Sequence, residues 1–379
     1  MPRHAHITGW GMASPERVMT NQDLARLVET DDEWIYTRTG IRERRLAGKH
    51  ETTASLATHA AAAALEQADL PARRVQLIIV ATSSPEHIFP ATASLVQDRL
   101  GADQAGAFDL SAACTGFIFA LNMAAQAIRS GSIDNALVIG SETLSRFTNW
   151  EDRGTCILFG DGAGAFVLEG SDRPGGVLSC VMRSDGSGGD LLSLPAGGSR
   201  MPATAETVER KLHTIHMNGR EVFRFATRVM ASATEEAVAR AGLRMDQIDL
   251  VVPHQANLRI IESAARSLRL PMERFMVNIE RYGNTSTASI PVAVCEALAA
   301  GRVQPGNHLV LVGFGAGLTW GALALQWVAR ERRVTVGGRQ RRRLAVWLAR
   351  LRSFARRVVR FLEGLIWGAF TGGPPAREQ

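Results

Sequence analysis

Residues 105–129 read AGAFDLSAACTGFIFALNMAAQAIR. The run from Ala105 to Leu110 is short and apolar enough for a buried strand, and Ser111 to Ala113 supply the small residues of a turn. Cys114 then opens a stretch with helical spacing that continues to Arg129. Working outward, Thr53 to Ala68 (TASLATHAAAAALEQA) predicts a helix, and Val75 to Ala81 (VQLIIVA) and Asn135 to Gly140 (NALVIG) predict buried strands. Strands that alternate with helices in this way imply an α/β fold with sheets covered on both faces.

The second half of the chain repeats the plan. Gly219 to Ala241 reads as a long helix, Ile248 to Val252 as a strand, Leu258 to Leu268 as a helix and His308 to Val312 as a strand. In both halves a helix ends in a short linker, Leu70-Pro71 or Gly242-Leu243, and the following strand opens into a polar turn, SSPEH or PHQAN. The repetition predicts an internal duplication, with an N-terminal half over 1–172, a C-terminal half over 173–330 and an extension over 331–379. Glycine-rich Arg183 to Gly198 is expected to be the connecting loop.

The 379 residues can bury a large core. The four cysteines, at 114, 156, 180 and 295, show neither CxxC pairing nor metal-ligand spacing, so neither a disulfide framework nor a zinc site is expected, and a reducing, cytoplasmic setting fits best. No stretch reaches the roughly 18 uninterrupted apolar residues of a spanning helix. The net charge of +6 comes largely from arginines after Glu331, at 339, 341–343, 350, 352, 356, 357 and 360, so the body gives no reason to expect a nucleic-acid partner.

Three residues suggest chemistry. Cys114 at a strand-to-helix turn would have a thiolate eased by backbone amides and the helix N-terminus, with Ala112, Ala113 and Gly116 leaving room for a carbonyl. An isolated cysteine is more often a small buried core residue. His254 follows the strand Leu250-Val251-Val252-Pro253, the end at which open α/β sheets place their sites, although a lone histidine there also serves as a structural hydrogen bonder. Asn284, in RYGNTSTASIP, is a neutral donor or a simple turn residue. Val312 to Gly321 (VGFGAGLTWG) lacks the spacing of phosphate-binding loops, and free N–H groups of Gly317 and Cys114 would suit an oxyanion hole.

Taken together and in order, DEWIYTRTGIRER, AACTGF, RGTCILFGDGAG, VVPHQANLRIIE, YGNTSTASIP and GFGAGLTWG closely resemble the 3-oxoacyl-(acyl-carrier-protein) synthase III family over about residues 5–328. The resemblance implies a thiolase-like fold, with two duplicated βα halves in a five-layered αβαβα core. It implies a decarboxylative condensation of an acyl-coenzyme A primer with malonyl-acyl carrier protein, giving 3-oxoacyl-carrier protein and initiating fatty-acid synthesis. Cys114 would carry the acyl group, the amides of Cys114 and Gly317 would hold its oxyanion, and His254 and Asn284 would stabilise the enolate formed as carbon dioxide leaves.

By the same resemblance Trp34, Arg38, Arg153 and Gly219 would contact coenzyme A, with Arg220 standing where better-known members have an asparagine. Arg224, Arg259 and Arg266 would dock the acidic carrier protein. Phe89 would reach across a homodimer interface and close the partner's acyl pocket, favouring short primers. No metal or resident cofactor is implied, since coenzyme A arrives with the substrate. Rival readings are a sister polyketide synthase or acyltransferase on the same fold, and a silent scaffold that only delivers its tail. That tail places Leu344, Trp347, Leu348, Leu351, Phe354, Val358, Phe361, Leu362, Leu365 and Ile366 at three- and four-residue steps with arginines elsewhere, the pattern of a basic amphipathic helix that would dock on a membrane surface, pack against the body, meet an acidic partner or remain a loose appendage.

Overall fold

A computed structural model of the chain describes residues 3–328 and, beyond them, 355–356 and 358–363. Nine strands build two sheets. The first has the order β1-β5-β4-β2-β3, from His4–Ala13 (β1), Leu77–Ala81 (β2), Gly106–Leu110 (β3), Asn135–Thr143 (β4) and Asp161–Ser171 (β5). The second has the order β7-β8-β9-β6, from Gly176–Ser184 (β6), Leu250–Pro253 (β7), His308–Gly315 (β8) and Thr319–Gln326 (β9).

Strand directions expose the duplication. In the first sheet β2 runs parallel to β3 and β4, while β5 is antiparallel to β4 and β1. In the second, β7 runs parallel to β8, and β9 is antiparallel to β8 and β6. The counterpart of β3 shrinks to a single parallel bridge between Val251 and Phe275.

Six helices complete five layers. Thr53–Gln67 (α1) and Thr92–Leu100 (α2) share an apolar cluster with the outer face of the first sheet. Gly219–Arg240 (α4) and Leu258–Leu268 (α5) do so with the second. Gly116–Arg129 (α3) and Ser289–Ala299 (α6) lie in a third cluster that draws on both sheets. Here Phe117 of α3 meets Phe166 of β5 edge-on with ring centroids 5.1 Å apart, a geometry contributing about 1 kcal/mol beyond area burial. Parallel strands sandwiched this way need apolar side chains on both faces, and β4 is buried along its whole length.

Small residues let the outer layer close in. A Cβ on Gly9 of β1 would lie 2.2 Å from the Ala64 carbonyl of α1, so that strand carries glycine opposite a helix rich in alanine. Helix ends are satisfied locally. Thr52 and Ser55 form a reciprocal capping box on α1, and the Asn257 side chain accepts from the Arg259 N–H at the start of α5.

Two expectations are corrected. The chain passes from the first sheet to the second between Ser171 and Gly176, so Arg183 to Gly198 is not the connection. It finishes β6, forms the 3₁₀ turn Gly186–Leu191 and adds the two-residue strand Leu192–Ser193. The helix after Cys114 also does not begin at once, because the 3₁₀ turn Ala113–Thr115 intervenes.

Candidate active site

The two central helices are entered in the same way. Before α3 stands the turn Ala113–Thr115, and before α6 the turn Ser286–Ala288. Each opens with a non-glycine residue in the left-handed region, Ala113 at φ +47° and Ser286 at φ +46°. An L-residue there costs roughly 1–2 kcal/mol, which the surrounding packing must offset. Cys114 is the second residue of one turn and Thr287 the second of the other. A Cβ on Gly116 would lie 3.3 Å from the Thr287 methyl, which puts the two turns against each other.

Cys114 is only 8% exposed. Burial pushes its thiol up to about 12, the nearby Ser286 hydroxyl acts against that rise, and a negative Glu142 would add to it. Burial thus acts against the thiolate that backbone amides and the helix N-terminus would ease. The hydroxyls of Thr115 and Thr319 lie 2.8 Å apart and both reach the Ala112 carbonyl, tying the turn to β9.

Strand β8 brings His254 to this cysteine. A Cβ on Gly315 would come within 2.7 Å of the Cys114 nitrogen, and one on Gly313 within 3.4 Å of the His254 Cβ. Residues two apart on a strand share a face and stand roughly 7 Å apart, so Cys114 and His254 flank one stretch of β8. Any side chain at Gly315 would displace the cysteine turn.

His254 follows β7, its N–H donating to the Val312 carbonyl at 2.8 Å. Its ring meets Phe314 edge-on at 5.4 Å, and burial alone pushes its pKa down to about 3, so it is neutral. Nδ1 is 2.7 Å from the Ser289 hydroxyl, which accepts the Gln255 N–H at 3.4 Å. With no other acceptor for Ser289 among the described residues, its hydrogen goes to Nδ1, which leaves the ring proton on Nε2.

The backbone of Asn284 is clamped by the RGTCILFGDGAG segment. Its N–H donates to Leu158 O at 2.8 Å and its carbonyl accepts from Gly160 N–H at 3.0 Å. Oδ1 accepts the Ser286 N–H at 2.9 Å, so the side-chain NH₂ is the outward group, with no protein acceptor among the described residues. Gly317 lies in the turn between β8 and β9, and neither its N–H nor that of Cys114 donates to a protein acceptor among the described residues.

Farther out, Trp34 is on the short helix Asp32–Thr39, with the guanidinium carbons of Arg38 and Arg153 at 4.3 and 4.7 Å from its ring centroid. Gly219 and Arg220 open α4 at the surface. Arg224 pairs with Glu221, Arg259 lies over Phe223 at 5.4 Å, and Arg266 is exposed on α5. Phe89 is 85% exposed, outside the buried cluster. Of the tail stripe, Val358, Phe361 and Leu362 are described, helical and exposed, and its other named positions lie outside the described residues. Among the described residues no helix is long and apolar enough to cross a membrane, and no group of His, Cys, Asp and Glu is suited to hold a metal.

Sequence reasoning passed over Glu142, Ser286 and Ser289. It also passed over Arg44, which is fully buried and binds Met19 O, Asn21 Oδ1 and Ile157 O beneath the Asn284 turn. Arg44 sits within the DEWIYTRTGIRER motif. For Glu142 the available signal was a carboxylate next to the apolar run Asn135 to Gly140.

Two duplicated sheets and two central helices, one of them entered through a buried cysteine, define a thiolase-fold condensing enzyme, an acyltransferase. The sequence models of "3-Oxoacyl-[acyl-carrier-protein (ACP)] synthase III" and of its C-terminal part match residues 108–186 and 238–327. Beta-ketoacyl-[acyl-carrier-protein] synthase III of Roseiflexus sp. (strain RS-1) is 54% identical over 329 residues, covering 87% of this chain and 100% of that protein. Its namesake from Symbiobacterium thermophilum is 57% identical over 325 residues, covering 86% and 98%. The crystal structure of 3-oxoacyl-[acyl-carrier-protein] synthase III from Aquifex aeolicus VF5 superposes with a TM-score of 0.79 at 46% identity, covering 85% of this chain and 100% of that one. The chain belongs to the 3-oxoacyl-[acyl-carrier-protein] synthase III family.

Proposed function

We propose that Cys114 takes an acyl group from acyl-coenzyme A and passes it to the carbanion released from malonyl-acyl carrier protein, giving 3-oxoacyl-carrier protein. The observation that carries this reading is that Cys114 and His254 flank Gly315 and Gly313 of β8, while Asn284 holds Ser286, the opening residue of the turn packed against the Cys114 turn. The tetrahedral adduct on Cys114 would place its oxyanion toward the N–H groups of Cys114 and Gly317. Neutral His254, with its proton on Nε2, and the Asn284 NH₂ would then face the thioester oxygen of the malonyl unit. Donors of this kind stabilise an enolate as carbon dioxide leaves without a full proton transfer.

Binding roles follow from the surface. Trp34, with Arg38 and Arg153 against its ring, would receive the adenine of coenzyme A, with Gly219 beside the pantetheine arm, while Arg224, Arg259 and Arg266 would meet the acidic carrier protein. Phe89 projects from its own chain, as a side chain that completes the acyl pocket of a homodimer partner would. The working site is the cytoplasm. The exposed apolar residues Val358, Phe361 and Leu362 beside Arg356 and Arg360 support contact of the tail with an anionic membrane surface.

Intact-protein mass spectrometry tests the reading. Wild type and Cys114→Ala are mixed with a panel of acyl-coenzyme A thioesters, then with malonyl-acyl carrier protein. The expected result is acyl mass on wild type alone, discharged as 3-oxoacyl-carrier protein. Acylation that malonyl-carrier protein cannot discharge would point to an acyltransferase or polyketide synthase, and no acylation to a scaffold. Sedimentation with anionic liposomes should fall when residues 331–379 are deleted, and equal sedimentation would end the membrane assignment.

A further inference from the structure

Glu142, at the C-terminal end of β4, is fully buried and forms no ion pair among the described residues. Ser84, Thr82, Ser83 and Thr287 make six contacts with its carboxyl. Oε2 accepts from the hydroxyls of Ser84 at 2.6 Å and Thr82 at 3.2 Å, and both oxygens lie 3.1 Å from the Ser83 N–H. Those partners follow β2 in the first half. From the second half, Oε1 lies 3.4 Å from the Thr287 N–H and 3.0 Å from the Thr287 hydroxyl. The carboxyl therefore ties the end of the first sheet to the turn that carries Asn284 and Ser286.

Counting hydrogens assigns its charge. The Thr287 hydroxyl has one hydrogen but stands 2.9 Å from the Ala81 carbonyl and 3.0 Å from Glu142 Oε1. A carbonyl cannot donate. If Glu142 were ionised, one of these close oxygen pairs would lack a hydrogen of its own. If Glu142 carries a proton on Oε1, it donates to Thr287 and Thr287 donates to Ala81, so both contacts are satisfied. Oε2 then keeps its hydroxyl and amide donors. Burial without a cation favours the same neutral form, with the donors from Ser84, Ser286, Ser83 and Thr287 acting against it. Cys114 lies within its field.

We propose that Glu142 is held as a neutral carboxylic acid and, in that state, is the positioning residue that fixes the Ser286–Thr287 turn, and through it Asn284, beside Cys114. A carboxylate at this place would oppose every negative charge the reaction develops, on the thiolate, the adduct and the enolate. A neutral acid provides the same clamp without that opposition. The consequence for catalysis rests on the roles given above to Cys114 and Asn284, whereas the protonation state does not.

The first test needs no substrate. A difference infrared spectrum, full-length wild type minus Glu142→Gln at pH 7, is expected to contain a carboxylic-acid C=O band, and a carboxylate band in its place overturns the proposal. The second reads Cys114 by its alkylation rate at pH 8, resolved by peptide mass. Replacing a neutral acid by a neutral amide should change that rate less than about twofold, whereas a rise of about tenfold or more, the response to removing an adjacent charge, overturns it. The positioning role predicts that Glu142→Ala lowers malonyl decarboxylation by about tenfold or more at near-constant KM, and that Glu142→Gln recovers most of the loss. Equal loss in both variants, in proteins shown to be folded by circular dichroism, overturns that role.

Discussion

The Ser289 hydroxyl lies 2.7 Å from Nδ1 of His254 and thereby decides which ring nitrogen carries the hydrogen. Ser289 is the first residue of α6, so the helix that fills the space between the sheets also sets the tautomer of a site residue. Removing the hydroxyl frees the ring to hold its proton on either nitrogen. Ser289→Ala is expected to lower kcat for malonyl decarboxylation about five- to tenfold, the loss of roughly one hydrogen bond, with little change in KM. An unchanged kcat would show that the ring is oriented by Phe314 alone.

Asn284 offers its NH₂ because Oδ1 is already committed to Ser286. Asn284→Asp keeps the acceptor and replaces the donor by a charge of the wrong sign. Decarboxylation is expected to fall by about 10²–10³-fold, as when an oxyanion donor is lost, while Cys114 acylation by acyl-coenzyme A changes far less. Steady-state decarboxylation and single-turnover acylation measure the two steps separately.

The depressed pKa of His254, about 3, has a sign that can be checked. The folded state keeps the ring neutral while the unfolded chain takes up a proton near pH 6.5. This stability is present above pH 6.5 and is lost as pH falls toward 3. Urea midpoints should therefore drop between pH 6.5 and 4 more steeply in wild type than in His254→Gln. A decarboxylation profile with an acid limb near pH 6.5 that tracks His254 would contradict the neutral, buried ring.

Cys114 shifts the other way, to about 12. Its alkylation rate should rise about tenfold per pH unit through pH 9 and 10, without the plateau that an ordinary thiol reaches near 8.5. A plateau below pH 8 would mean that a group not yet identified stabilises the thiolate.

Arg153 sits 4.7 Å from the Trp34 centroid, and an adenine ring between them needs about 7 Å, two van der Waals contacts. For adenine to stack there as proposed, Arg153 would swing aside and release its bond to the Glu29 carbonyl. Trp34→Ala should raise KM for acyl-coenzyme A about tenfold, the loss of stacking and cation–π attraction, with smaller effect on the malonyl step.

Helices with a regular apolar stripe were readable in the sequence. Leu258 to Leu268 begins and ends where the spacing of Ile260, Ile261, Ala264, Ala265 and Leu268 places it. Strands β1 and β5 were not readable, because HAHITGWGMA and DGAGAFVLEGS are rich in the glycine and alanine that close helix packing demands and that strand propensity disfavours. Cys114, His254 and Asn284 stood out by residue type and by family motif. Glu142 and Ser289 did not, since their significance depends on neighbours 145 and 35 residues away in the chain. The thiol's elevated pKa was equally hidden, because it follows from burial, which no local spacing reveals.

The left-handed turns at Ala113 and Ser286 belong to opposite halves yet rest against one another, and the cluster behind them takes side chains from both sheets. Neither half retains a closed interior without its twin. Cutting the chain between Ser171 and Gly176 would leave two fragments, each with an uncovered apolar wall and only part of the reaction centre. Mixed together, such fragments should regain activity as they dimerise and stay inert apart, and the intact chain should melt in a single cooperative step.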